Sequence, residues 1–191
     1  MIFSDMRAAV FVVMGVCGCG KSTVGQGLAS ALGLEFLEGD QLHSARNIGR
    51  MAAGIALTDD DRQDWLEVLA ARIRDARARG RGLVVSCSAL KRAYRDILRG
   101  GAADLQVIHL RGDPELLATR MASRPGHYMP ASLLDSQLAT LEPPGPDEHA
   151  YTFDAAMPAD AIVAAVFLAS EASSFVNGHI LYVDGGVTAT L

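Results

Sequence analysis

Gly15, Val16, Cys17, Gly18, Cys19, Gly20, Lys21 and Ser22 carry the spacing GxxxxGKS, a pattern suited to chemistry on phosphates. Glycines let the backbone bend so that successive N–H groups face one anion. Lys21 then reaches the outer phosphates, the Ser22 hydroxyl is placed to hold Mg²⁺, and Thr23 continues into a helix whose positive end faces the same charge. ATP is the ligand such a loop suits. Asp40 follows a second apolar run and stands at its C-terminal tip. A carboxylate there would take a proton from an attacking hydroxyl or help hold Mg²⁺ through water, and Asp is also a good cap for a helix predicted over residues 41–53. His43 and Arg46 lie one turn further on, as contacts to an anionic substrate or as surface groups. Arg120, Arg124 and His127 are cations on a segment suited to a mobile lid, where they would neutralise a transferring phosphate or stand as a solvated helix face. Lys21, Asp40 and Arg124 are therefore the candidate catalytic set.

These groups need elements to hold them. The spacing predicts a strand over residues 8–14 leading into the loop, and a helix over 21–32 with Val24, Leu28 and Leu32 on one face. Further strands are expected over 34–38, 82–87, 105–110 and 151–154. Helices are expected from Thr58-Asp59-Asp60-Asp61 to about Gly80, from about Lys91 to 98, over 114–123, over 131–140 and over 159–170. Strands that alternate with helices imply an α/β fold, a five-stranded parallel sheet with helices on both faces. In such a sheet ligands bind beyond the carboxyl ends of the strands, where the loop, Asp40, residues 88–91 and Asp113 all fall.

Composition narrows the function classes. The 191 residues are half hydrophobic, enough for one sizeable core. A net charge of -5 argues against general affinity for nucleic acid or an anionic membrane, and no stretch reaches the roughly 18 apolar residues that span a bilayer. Three cysteines make no disulfide framework, so a reducing cytoplasm is the expected location. Cys17, Cys19 and Cys87 lack metal spacing; Cys17 and Cys19 read as small loop residues, or as thiols whose pKa the helix end lowers, which would make ATP binding sensitive to oxidation.

A wider set of residues resembles the gluconate kinases (gluconokinases), small P-loop kinases related in fold to shikimate and nucleoside monophosphate kinases. The set comprises Met14 with the glycine loop to Ser22, Glu38-Gly39-Asp40-Gln41-Leu42-His43, Asn47, Met51, Gly54, Leu57, Asp59-Asp60-Asp61-Arg62, Trp65-Leu66, residues 87–92, Tyr94-Arg95, Gly126-His127 and residues 137–142. The resemblance implies a P-loop kinase fold with a lid near residues 114–140. It also implies transfer of the ATP γ-phosphate to the 6-hydroxyl of D-gluconate with Mg²⁺, and a homodimer. It makes Asp40, His43, Arg46, Lys91, Arg95 and His127 the candidate substrate contacts, and residues 15–23 with Arg120 the nucleotide contacts. A kinase for another small hydroxy acid such as shikimate, and a nucleotide-binding protein without turnover, are the alternatives.

The chain also departs from that family. Cys17 and Cys19 stand where serine is common, Ser44 where proline is usual, and Pro125 where lysine is common in the lid. Residues 167–186 resemble the C-terminal segment of short-chain dehydrogenases, without that family's glycine-rich dinucleotide loop or its Tyr-x-x-x-Lys pair. The expected organisation is a kinase domain over residues 1–166 and an appended tail over 167–191.

Overall fold

The computed structural model describes residues 8–123 and 131–169. Five strands, β1 (Val10–Met14), β2 (Glu35–Glu38), β3 (Leu83–Ser86), β4 (Gln106–Arg111) and β5 (Ala150–Asp154), form one sheet in the order β2-β3-β1-β4-β5. Each adjacent pair is parallel, with β1 flanked by β3 and β4. The helices are α1 (Lys21–Leu32), α2 (Ala45–Ala52), α3 (Asp59–Ala78), α4 (Arg92–Arg99), α5 (Pro114–Ala122), α6 (Ala131–Thr140) and α7 (Ala159–Ala169).

β1 is buried throughout because both of its edges and both faces are covered, which is why it reads as an unbroken apolar run. Its side chains alternate between two cores. Val10, Val12 and Met14 pack with Trp65, Leu69 and Ile73 of α3 and Leu98 of α4. Phe11 and Val13 pack on the opposite face with Val24 and Leu28 of α1 and Ile162 and Val166 of α7. The helices thus sandwich the sheet, and every strand points its carboxyl end the same way.

The start of α3 follows its sequence signal. The Thr58 hydroxyl accepts from the Asp61 N–H at 3.2 Å, and the Asp61 carboxylate accepts from the Thr58 N–H at 3.0 Å, a reciprocal capping box. The single helix predicted over residues 41–53 is not formed. A 3-10 turn occupies Gly39–Leu42, His43 and Ser44 are extended, and α2 begins only at Ala45. Two causes combine. Tertiary bonds fix the turn, since Trp65 Nε1 donates to the Gly39 carbonyl at 2.8 Å and the Gly39 N–H donates to Ser86 Oγ at 3.3 Å. Ser44 then caps α2 by accepting from the Asn47 N–H at 3.2 Å, so Asp40 has no capping role there.

His109 in β4 carries a titration consequence. It is buried, its Nδ1 lies 3.4 Å from the Thr152 hydroxyl, and its Nε2 has no partner among the described residues. Burial, followed by the charges of Arg95 and Arg111, pushes its pKa from 6.5 down to about 4. Above the unfolded value both states are neutral; as pH falls below it the unfolded chain takes the proton first. Stability is therefore expected to fall by about 3 kcal/mol as pH drops from 6.5 to 4 through this group. Urea midpoints across that window measure the slope. His109→Gln should flatten it, and an equal slope in both proteins would contradict the assignment.

Candidate active site

The loop between β1 and α1 is shaped by glycine. Gly15, Gly18 and Gly20 have φ of 142°, 79° and 94°, a region that side chains disfavour. A Cβ on Gly15 would approach the Leu110 carbonyl to 2.6 Å, so the loop is pressed against the end of β4. Gly20 offers α1 no side-chain cap, and the first turn holds no acidic residue. The N-terminal N–H groups and positive helix end are thereby left to an external anion, and this donor set fits the phosphates of a nucleotide. Lys21 Nζ donates to the Val16 carbonyl at 3.1 Å and so lies folded along the loop. Burial opposes its charge, but the negative potential of Cys19 and Asp40 outweighs that cost and holds its pKa above the usual lysine value.

Lys21, Ser22, Asp40 and His43 line one cavity of about 190 Å³, closed by the start of α3, the β3–α4 loop and α6. Asp40 sits on the 3-10 turn just past β2, and its exposed carboxylate has no hydrogen bond or ion pair among the described residues. His43 is buried with its ring stacked on Trp65 at 4.0 Å between centroids, and its Nδ1 lacks a partner among the described residues. Burial lowers its pKa against the pull of Asp40, with Arg62 adding to the drop, so the ring is neutral near pH 7 and can exchange hydrogen bonds with a hydroxylated ligand. Lys91 Nζ donates to both Asp59 oxygens at 2.8 and 2.7 Å, and the Tyr94 hydroxyl donates to Asp59 at 2.5 Å. Two further bonds join the walls. The Gly15 N–H donates to the Ser88 carbonyl at 3.3 Å, and the Cys17 N–H donates to Gln137 Oε1 of α6 at 2.8 Å.

Not every cation expected here faces the cavity. Arg46 is largely solvent-exposed and turns to Asp61 at 3.5 Å, outside the cavity wall. Arg95 is a correction to the substrate set. It is 1 % exposed, pairs through Nε and Nη2 with Glu148 at 2.6 and 2.9 Å, and donates through Nη1 to the carbonyls of Ala89, Leu90 and Glu142. Its donors are occupied inside the protein, and it braces the loop that carries Lys91. Arg120 donates to the Ala155 carbonyl at 2.8 Å and borders a second hollow of about 400 Å³ on the other flank of the loop, with Gly18, Cys19, Gly20 and Thr23. Arg124, Pro125 and His127 lie outside the described residues. The thiol reading is reversed at Cys17, where burial raises the pKa despite Lys21, and burial likewise pushes the Cys87 thiol up to about 12.

Arg62, Tyr94 and Gln137 line the cavity but were not among the expected site residues. A signal for Arg62 existed: it lies three positions after Asp59 and three before Trp65, on the helix face that Trp65 turns inward.

Comparison with known proteins gives a consistent grouping. A family model described as AAA domain matches residues 10–144, and one described as Enoyl-(Acyl carrier protein) reductase matches residues 147–188. The second match begins ahead of β5, so the dehydrogenase-like similarity expected from residue 167 reaches back through β5 and α7. The gluconokinase of Gluconobacter oxydans (strain 621H) is 49% identical over 143 residues, which span 75% of this chain and 80% of that protein. A sugar kinase structure from Janibacter sp. HTCC2649 matches with a TM-score of 0.80 at 46% identity, covering 83% of this chain and 92% of that one. A gluconokinase structure from Sinorhizobium meliloti 1021 matches with a TM-score of 0.78 at 44% identity, covering 91% and 99%.

Proposed function

We infer that this chain, which belongs to the gluconokinase family, catalyses ATP-dependent phosphorylation of D-gluconate at its 6-hydroxyl to give 6-phospho-D-gluconate. The observation that carries this reading is one cavity lined by both the phosphate loop and Asp40, whose carboxylate has no partner among the described residues. ATP with Mg²⁺, when bound, supplies the phosphoryl group and screens its charge. The Ser22 hydroxyl and Asp40 are the residues suited to that cation. Among the described residues no group of three or more metal-type side chains occurs, as fits an ion held mostly by phosphate and water oxygens.

The chain's own residues have separable tasks. The loop N–H groups and Lys21 hold phosphate oxygens and offset the charge that builds on them. Asp40 accepts the proton of the attacking hydroxyl as its oxygen forms the bond to phosphorus and the bond to the departing diphosphate breaks. His43 and Lys91 hold the polyol against that carboxylate. Arg120 flanks the nucleotide side. We further propose a homodimer acting in the cytoplasm, with residues 1–166 as the kinase domain and 167–191 appended to it. No helix among the described residues is long and apolar enough to cross a membrane.

A coupled ADP-release assay across sugar acids and shikimate tests the reading. The expected result is turnover of D-gluconate in preference to the others. Preference for another acceptor would remove gluconate as the substrate, and turnover without Lys21 would remove the loop as the phosphate site.

A further inference from the structure

The cavity contains three cations, and their pairing differs. Lys21 is bonded to its own loop. Lys91 has both oxygens of Asp59 as partners. Arg62 is only partly exposed, its guanidinium lies 5.9 Å from the centroid of the Tyr94 ring, and it has no hydrogen bond or ion pair among the described residues. Asp59, one helical turn back, lies within its field but is bonded to Lys91 and Tyr94, so the guanidinium keeps donors for an acid that a ligand brings. The Tyr94 ring attracts the cation without using any of its N–H donors, which leaves them for a planar anion.

We propose that Arg62 is the carboxylate anchor of the acceptor site, and that it sets which end of a hydroxy acid faces Asp40. The assignment rests on the kinase reading above. Asp40, His43 and Arg62 line the same cavity, and both charged groups act electrostatically on the His43 ring. An aldonate gripped by its carboxylate at Arg62 extends its chain past His43 and delivers a distal hydroxyl to Asp40. Lys91 is a poorer anchor, because both oxygens of Asp59 already occupy its ammonium group at 2.8 and 2.7 Å. A bidentate pair at Arg62 also explains selection of an acid over the matching neutral polyol, since the polyol leaves the guanidinium unpaired.

The test compares D-gluconate with D-glucitol, in which a hydroxymethyl group replaces the carboxylate, for the full-length chain and for Arg62→Gln and Arg62→Lys. Arg62→Gln is expected to raise KM for gluconate roughly 10- to 100-fold, to leave KM for ATP within about threefold, and to cut the gluconate-over-glucitol preference by the same factor. Arg62→Lys should restore part of that preference. Thermal melts of each variant separate a folding defect from a binding one. The proposal is overturned if KM for gluconate stays within about threefold, if acid and polyol suffer equally, or if the loss appears in KM for ATP. Should the wild-type chain turn over a different hydroxy acid, the gluconate assignment falls while the same variants measured with that acid still decide Arg62. Turnover of no acid would overturn both.

Discussion

With Asn in place of Asp40, kcat for gluconate phosphorylation should fall roughly 10²- to 10⁴-fold, the range that a positioned general base supplies. The fold should change little, because the Asp40 side chain is exposed and bonded to nothing among the described residues. The isosteric amide keeps the shape and removes the proton acceptor together with its negative charge, which also acts on Lys21 and His43. Lys21→Ala is the contrasting control, since it strips charge from the phosphate side and should raise KM for ATP as well as lower kcat. Steady-state kinetics with ATP and gluconate varied in turn distinguish the two patterns. A kcat for Asp40→Asn within about tenfold of wild type would show that the proton leaves by another route.

Arg95→Ala should give the largest loss of stability of any single change considered. The substitution leaves the carboxylate of Glu148, itself 2 % exposed, without its main partner and frees the carbonyls of Ala89, Leu90 and Glu142. Breaking a buried pair in this one-sided way costs roughly 3–5 kcal/mol. Titration gives a similar scale by a separate route. Hydrogen bonding to Arg95 is the main cause that lowers the Glu148 pKa from 4.5 to about 2, which corresponds to about 3 kcal/mol. That contribution is present above pH 4.5 and is lost as pH falls toward 2. Urea denaturation at neutral pH should show the midpoint of Arg95→Ala well below wild type, and the gap should narrow as Glu148 becomes protonated. Because Ala89 and Leu90 belong to the loop that carries Lys91, kinetics of the folded variant should also worsen. A midpoint shift of under about 1 kcal/mol would mean that Arg99, which donates to the same carboxylate at 3.2 Å, already suffices.

What could be read from the sequence follows the range over which each signal acts. The glycine loop, α1, the capping box of α3 and the five apolar strand runs are local patterns, so spacing and residue type identified them. The break between Gly39 and Ser44 was missed because the turn is fixed by Trp65 and Ser86, which are distant in sequence. Arg95 illustrates the same limit for function. The resemblance made it a candidate substrate contact beside Lys91, whereas its partner Glu148 lies 53 positions away and no helical spacing reveals it. Arg62 was hidden by its company, three consecutive acids that read as a helix start. Their individual bonds, Asp59 to Lys91 and Asp61 to Thr58, show that neither of these two is hydrogen-bonded to Arg62.

The bond from the Cys17 N–H to Gln137 joins α6 to a donor that an incoming phosphate would also seek. Occupancy of the loop by nucleotide and attachment of α6 are thereby linked equilibria, and linkage is symmetrical: whatever factor the nucleotide imposes on that attachment, the attachment imposes on nucleotide affinity. Gln137, 120 positions downstream of Cys17, is thus expected to influence the ATP dissociation constant, and Gln137→Ala should change it while leaving the glycine loop itself untouched.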